Sequence, residues 1–133
     1  RRDRNALDLE HGQVVRYVLR HSKYDESEEI FISRILALEG ERIAIRDGLV
    51  YVARPGSKIN YDKDLVSEAY MDKDSADKTL QFPEILVPRG HVFVLNDNRR
   101  SVIGAKKLSL YHGDSRFFGP ISAKLILGTI NTD

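Results

Sequence analysis

Cysteine is absent from all 133 residues, which excludes disulfide frameworks, Cys-x-x-Cys redox chemistry, thiolate zinc sites and a cysteine nucleophile. A cysteine-free chain suits an intracellular protein and an extracellular Gram-positive one alike, so this leaves the compartment open. An excess of charge of one sign is also missing: 21 Lys and Arg face 20 Asp and Glu, for a formal net charge of +1. Nucleic-acid binders concentrate basic residues to displace phosphate counterions, so the balance argues against a nucleic-acid partner. No run of about 18 apolar residues occurs, and without one no segment reads as a membrane span or a signal-peptide core. The chain opens on Arg1-Arg2-Asp3-Arg4 with no methionine, which suggests that residues ahead of it are missing and leaves room among them for a membrane anchor.

Several chemical signatures are lacking as well. The four histidines, His11, His21, His91 and His112, show no metal-ligand spacing and read as surface or turn residues, so no metal site is expected. There is no Gly-rich phosphate loop, no Gly-x-Ser-x-Gly elbow and no opposed pair of carboxylates, and no cofactor is expected. Internal repeats and low-complexity tracts are absent.

What is present is a succession of short strands. At 133 residues the chain is one domain's length, enough to bury roughly two-thirds of its unfolded surface. Val14 to Leu19 is β-branched and aromatic behind Gly12, a strand leaving a turn. Ser22 to Glu29 is acidic and polar, a solvated hairpin loop. Ile30 to Leu38 runs almost continuously apolar, as a strand buried on both faces does. Arg42–Arg46 and Leu49–Val52 alternate about Asp47-Gly48, the dipeptide of a type I′ hairpin turn. Residues 58–79 are mixed, with Tyr61, Leu65 and Ala69 spaced for one face of a short helix. Ile85–Gly90 turns into a strand at His91–Leu95, and Ile121–Ile130 supplies a last strand interrupted by Lys124 and Gly128. The whole predicts an all-β domain of folded antiparallel sheets with one or two short helices.

Four segments carry a resemblance. Ser33-Arg34-Ile35-Leu36-Ala37-Leu38-Glu39-Gly40-Glu41 resembles a Lys-Arg-x-x-Gly-x-Pro-Gly-Asp box, and Val87-Pro88-Arg89-Gly90-His91-Val92-Phe93-Val94-Leu95-Asn96-Asp97-Asn98-Arg99 resembles Val-Pro-x-Gly-x-x-Phe-x-x-Gly-Asp-Asn-Arg. Asp114-Ser115-Arg116-Phe117-Phe118-Gly119-Pro120-Ile121 resembles Asp-Ser-Arg-x-x-Gly-x-Val, and Leu9-Glu10-His11-Gly12-Gln13-Val14-Val15 resembles Leu-x-x-Gly-Asp-x-Val. In this order they are the boxes of the type I signal peptidases, membrane-anchored Ser/Lys endopeptidases that remove signal peptides. The resemblance covers nearly the whole chain, residues 1–133, as one extracytoplasmic domain.

The departures from that family fall on its chemistry. In active members a Ser hydroxyl attacks the peptide carbonyl and a desolvated Lys amine takes the proton. Aligned on Gly12, the nucleophile's place falls at Arg4, or at Asp3 with one residue inserted, and the base's place is Ser33, whose hydroxyl is no base near neutral pH. The Ser that positions the Lys is replaced by His112, the Gly before Asp97 is Asn96, and 14 residues, 100–113, separate Arg99 from Asp114. The inserted stretch carries Lys106, Lys107, Leu108, Leu110 and Tyr111; a solvated lysine there stays protonated near neutral pH. Arg34, Gly40, Asp97, Asn98, Arg99, Asp114, Ser115, Arg116 and Gly119 read as structural, holding loops and joining the boxes by Arg–carboxylate pairing.

The resemblance therefore implies a protein that is not an enzyme, with the fold kept and the dyad replaced. The pattern points to the SipA-type (LepA) proteins of Gram-positive cocci, accessory or chaperone-like factors in the assembly of sortase-linked pili. That implies pilin subunits or the pilus sortase as partners, and a place on the outer face of the cell membrane behind a missing N-terminal helix. Peptide is expected to lie as an added strand along Gln13, Val15 and Tyr17 and along Ile32, Arg34 and Leu36. Two rivals stand beside this reading. One is an active signal peptidase with an unusual dyad or an upstream nucleophile; the other is a homo-oligomerisation domain that uses the insertion as its contact.

Overall fold

The computed structural model describes residues 9–20, 28–68, 80–99 and 113–130. Among the described residues eight strands and one α-helical turn follow in chain order: β1 Val14–Arg20, β2 Glu28–Leu38, β3 Arg42–Arg46, β4 Leu49–Ala53, β5 Phe82–Leu86, β6 His91–Leu95, α1 Ser115–Phe118, β7 Ile121–Ser122 and β8 Ile126–Ile130. They form a five-stranded sheet in the order β7-β6-β2-β1-β8 and a three-stranded sheet in the order β4-β3-β5, with antiparallel pairing throughout. The expected all-β architecture is what the chain adopts.

The strands β2 and β6 hold the two sheets together because both serve two apolar cores. Ile35, Val92 and Val94 pack with Val15, Tyr17, Phe31 and Ile121 in one cluster. Leu36, Ala37, Phe93 and Leu95 pack with Ile43, Ile45, Val50 and Val87 in the other. Residues between two cores are apolar on both faces, which accounts for the unbroken runs at 35–38 and 92–95. A bulge between Ile35 and Ala37 in the β2–β6 pairing adds one residue on β2 and turns the strand from one core to the next.

The first half of β2 departs from the expected two-sided burial. Ile30 and Ile32 are 57% and 56% exposed, because that half covers a single core and its other face meets solvent. The tight hairpin is as expected: Asp47 and Gly48 take φ values of 53° and 81°, and Arg46 pairs with Leu49, the type I′ signature. Gly40, at φ 83°, turns β2 into β3, and a Cβ on it would lie 3.4 Å from the Pro55 Cβ.

Two further expectations are corrected. The described part of 58–79, residues 58–68, contains no helix; it runs beside β4, with Val52 N donating to Asp64 O and Val66 N to Val50 O. Its entry is a turn in which Asp62 N donates to Asn60 Oδ1 and Asn60 N to Asp64 Oδ2, and such side-chain bonds compete with helix formation. Ala69 lies outside the described residues, as does most of the Ser22–Glu29 stretch expected as a loop, whose Glu28 and Glu29 belong to β2. The expected last strand is two strands: β7 pairs with β6, β8 pairs with β1, and a 3-10 turn at Ala123–Leu125 separates them. Ser122 caps that turn through Lys124 N, so the chain crosses from one edge of the large sheet to the other.

Ile43 is wholly buried in the second core and Leu49 is 48% exposed. Ile43→Ala is expected to lower stability in chemical denaturation by about 2–5 kcal/mol, while Leu49→Ala stays within about 0.5 kcal/mol of the parent.

Candidate functional site

The site grows from β2 where it meets the loop after β6. Arg34 reaches across that junction in a bidentate pair, with Nε donating to Asp97 Oδ1 at 2.9 Å and Nη2 to Asp97 Oδ2 at 2.8 Å, while Nη1 donates to Gly12 O at 2.8 Å. One guanidinium thus ties the turn before β1, the strand β2 and the loop after β6.

The second half of the frame answers a strand-edge requirement. Strand β7 is two residues long and pairs only with His91 and Val92, so the β6 edge beyond it needs other acceptors. Side chains from the start of α1 provide them: Val94 N donates to Ser115 Oγ at 2.9 Å, and Asn96 N to Asp114 Oδ2 at 2.8 Å. Asp114 also caps α1 through Arg116 N and pairs with Arg116 Nε and Nη2 at 2.9 and 2.8 Å. Arg116 Nη1 donates to Arg99 O. Gly119 ends the helical turn at φ 82°.

Arg99 is 1% exposed. Its Nε donates to Asn96 O at 2.6 Å and its Nη2 pairs with Glu68 Oε1, while Nη1 has no hydrogen-bond partner among the described residues. Glu68 belongs to none of the recognised boxes, and the sequence carried no signal for this pairing. Asn98 is exposed in the turn beside it.

At the centre lies Ser33, 3% exposed. Its Oγ donates to Asn96 Oδ1 at 2.7 Å and lies 2.8 Å from the Tyr17 hydroxyl. Ser33 has one proton and gives it to Asn96, so Tyr17 donates to Ser33, and the chain runs Tyr17 OH to Ser33 Oγ to Asn96 Oδ1. Asn96 Nδ2 donates to Gly113 O, which sets the amide orientation. Two departures from the family pattern, Ser for Lys at 33 and Asn for Gly at 96, therefore meet each other. The Tyr17 ring stacks on Phe31 at 5.6 Å and meets Phe118 edge-on at 6.4 Å. Burial pushes its phenol well above the usual tyrosine range; the Ser33 hydrogen bond opposes that shift and the Asp114 charge adds to it. A neutral phenol and a hydroxyl whose proton is committed make a polar bridge here, with no base at Ser33.

The segments Gln13–Tyr17 and Ile32–Leu36, along which peptide is expected, leave no groove between them. These segments are hydrogen-bonded neighbours, Val14 opposite Arg34 and Tyr17 opposite Phe31, and Val15, Tyr17 and Leu36 are buried in the cores. Gln13 turns its side chain to accept from Glu10 N. An open main-chain edge overlaps the expected stretch only at Ile32 and Ser33: β6 pairs with β2 only from Arg34 onward, so among the described residues Glu28–Ser33 has no strand on that side. Ladder alternation, fixed by Ile35 N donating to Gln13 O on the β1 side, turns the main-chain groups of Ile30 and Ile32 to this open edge.

Asp3, Arg4, His21, His112 and the 100–112 insertion lie outside the described residues. His11 Nε2 lies 2.7 and 2.9 Å from the two Glu41 oxygens, and Glu41 Oε1 accepts from Leu38 N at 2.6 Å. Glu41 stands at the Asp position of its box, which was the signal available for a partner. His91 Nδ1 lies 2.9 Å from Arg89 O. Among the described residues no group of three or more His, Asp and Glu is placed to hold a metal ion.

The family model described as "Signal peptidase, peptidase S26" matches residues 3–132. Signal peptidase I V of Bacillus subtilis is 32% identical over 105 residues, 77% of this chain and 56% of its own length. Thylakoidal processing peptidase 1 of Arabidopsis thaliana is 31% identical over 102 residues, 77% of this chain and 24% of its own. Signal peptidase I of Bacillus caldolyticus is 28% identical over 133 residues, 96% of this chain and 65% of its own. The chain thus spans between a quarter and two-thirds of the length of these relatives. The crystal structure of a signal peptidase I from Enterococcus faecalis shares the fold, with a TM-score of 0.57 at 21% identity, covering 92% of this chain and 97% of that one. These names correct one expectation: the similar proteins are named as peptidases, which overturns the reading of the chain as not an enzyme. They speak for the signal peptidase family and not for its pilus-assembly subgroup.

The Tyr17 phenol is favoured neutral in the fold, so its contribution to stability is complete below the ordinary tyrosine value of 10.0 and is lost as pH rises above it. In urea titrations the parent is expected to lose stability above that pH more steeply than Tyr17→Phe. Parallel profiles would contradict the assignment.

Proposed function

We propose a role in precursor processing at a membrane, on the premise that this chain belongs to the signal peptidase family S26. The domain is the peptide-holding body of a membrane-associated endopeptidase. Members of the family are membrane-associated; among the described residues no helix is long and apolar enough to cross a membrane.

The observation that carries this reading is the open edge of β2. Ile30 and Ile32 offer main-chain donors and acceptors to an extended peptide, which adds to the sheet as another strand, and the edge ends at Ser33, the position where the family keeps its general base. A strand docked there is held by main-chain hydrogen bonds and accepts varied sequences, as a substrate class of many different precursors requires. The reacting hydroxyl and its proton acceptor come from outside Ser33, in an arrangement that differs from the Ser/Lys pair.

A second reading, in which the same edge serves pilin subunits or their sortase during pilus assembly on the outer face of a Gram-positive membrane, draws on Ser33 itself. With the base position built into the Tyr17–Ser33–Asn96 bridge, this part of the site is arranged to hold a strand.

The test is cleavage of labelled precursors, pilin precursors among them, by the full-length membrane-anchored protein beside a signal peptidase known to be active. Processing is expected, with Ile32→Pro reducing it by at least about tenfold, since proline removes one edge donor while leaving the pairing with β1 in place. No cleavage of precursors that the control enzyme cuts would overturn the processing role. Retained co-purification of pilin precursors in that case, lost in Ile32→Pro, would favour the second reading.

A further inference from the structure

A cavity of about 420 Å³ opens where the His11-Gly12 turn, the end of β2, β4 and residues 63–67 meet. Its size falls within the range of about 300–1,000 Å³ usual for small-ligand sites. It lies away from the open edge of β2: Leu36 and Glu41 border it, and Ile30 and Ile32 do not.

The wall is apolar and mixed in charge. Val52, Leu65 and Val66 supply aliphatic surface, with Leu65 52% exposed. Arg54 and Lys63 line the cavity, both exposed, and neither side chain has a hydrogen bond or ion pair among the described residues. Two carboxylates, Glu41 and Asp64, also line the cavity. Both are engaged by the protein's own groups: Glu41 by His11 Nε2 and Leu38 N, and Asp64 Oδ2 by Asn60 N. The two cationic side chains are therefore unspent where the acids already accept hydrogen bonds, and the acids still retain lone pairs for a further donor.

We propose that this cavity binds the carboxylate-terminated end of a peptide whose last residue is aliphatic. Arg54 and Lys63 receive the terminal carboxylate by charge-assisted hydrogen bonds, the surface of Val52, Leu65 and Val66 takes the aliphatic side chain, and an acidic oxygen of the wall accepts the terminal amide N–H. The last contact selects a peptide over a fatty acid, which has a carboxylate and an apolar tail but no donor to offer. This site is separate from the edge proposed for precursor strands and does not depend on that proposal.

The probes are N-acetyl-leucine, its uncharged analogue N-acetyl-leucinamide, and octanoate, each titrated into the isotope-labelled domain and followed by two-dimensional amide NMR. N-acetyl-leucine is expected to shift the amides of Gly12, Val52, Lys63 and Val66 with an affinity in the range of about 1 mM, and the amide and octanoate to bind at least about fivefold more weakly. Arg54→Ala and Lys63→Ala, each at an exposed position and each checked for an unchanged fold in the same spectra, are expected to weaken N-acetyl-leucine by about threefold to fivefold. Equal binding of the amide would overturn the carboxylate's role. Tighter binding of octanoate would replace the peptide with a lipid-like ligand and overturn the proposal, as would shifts that map elsewhere or no shifts at all.

Discussion

A single buried carboxylate organises the middle of this domain. Asp114 is 0% exposed and its oxygens receive four hydrogen bonds, one from Asn96 N and three from Arg116. A carboxylate so deep costs several kcal/mol to desolvate and is tolerated only when paired and fully bonded. Its partners link the exit of β6 to the turn of α1, and four residues of helix, too short to be stable alone, are held there by this bonding. Without Asp114 and Ser115 the edge of β6 beyond the two-residue strand β7 would leave Val94 N and Asn96 N without acceptors.

From that node the polar structure extends in two directions. Through Asn96 it reaches Ser33 and Tyr17, and through Arg116 Nη1 and the Arg99 carbonyl it reaches the buried Arg99–Glu68 pair. Arg34 and Asp97 form a parallel tie nearer the surface. Asp97 is 43% exposed on its side chain, so that pair is weighted toward geometry more than stability. The open edge of β2 is therefore presented by a strand fixed at one end by Arg34 and backed by the Tyr17 ring.

Much of the fold was legible because it depends on local signals. Asp47-Gly48 between alternating strands announces its turn chemically, and the runs at 35–38 and 92–95 announce burial on two sides. Other features depend on partners distant in sequence. Nothing in Ile121–Ile130 shows that its two halves pair with opposite edges of one sheet, and residues 58–68 have apolar spacing that suits a helix although their backbone bonds go to β4. Pro83 disguised β5, which tolerates it as an edge strand. In the site, the box residues were legible by order and spacing. The contact between Ser33 and Asn96, 63 positions apart, was not, nor was Glu68 as the partner of Arg99. The open edge of β2 was not legible either, because sequence shows which strand is apolar and not how far its neighbour extends along it.

The most direct test of this account compares two isosteric substitutions in chemical denaturation. Asp114→Asn removes the charge at the buried node and is predicted to cost about 3–5 kcal/mol or to prevent folding, whereas Asp97→Asn, at the half-exposed tie, is predicted to cost about 1 kcal/mol or less. An Asp114→Asn protein as stable as the parent, or an Asp97→Asn protein the less stable of the two, would contradict the central place given to Asp114.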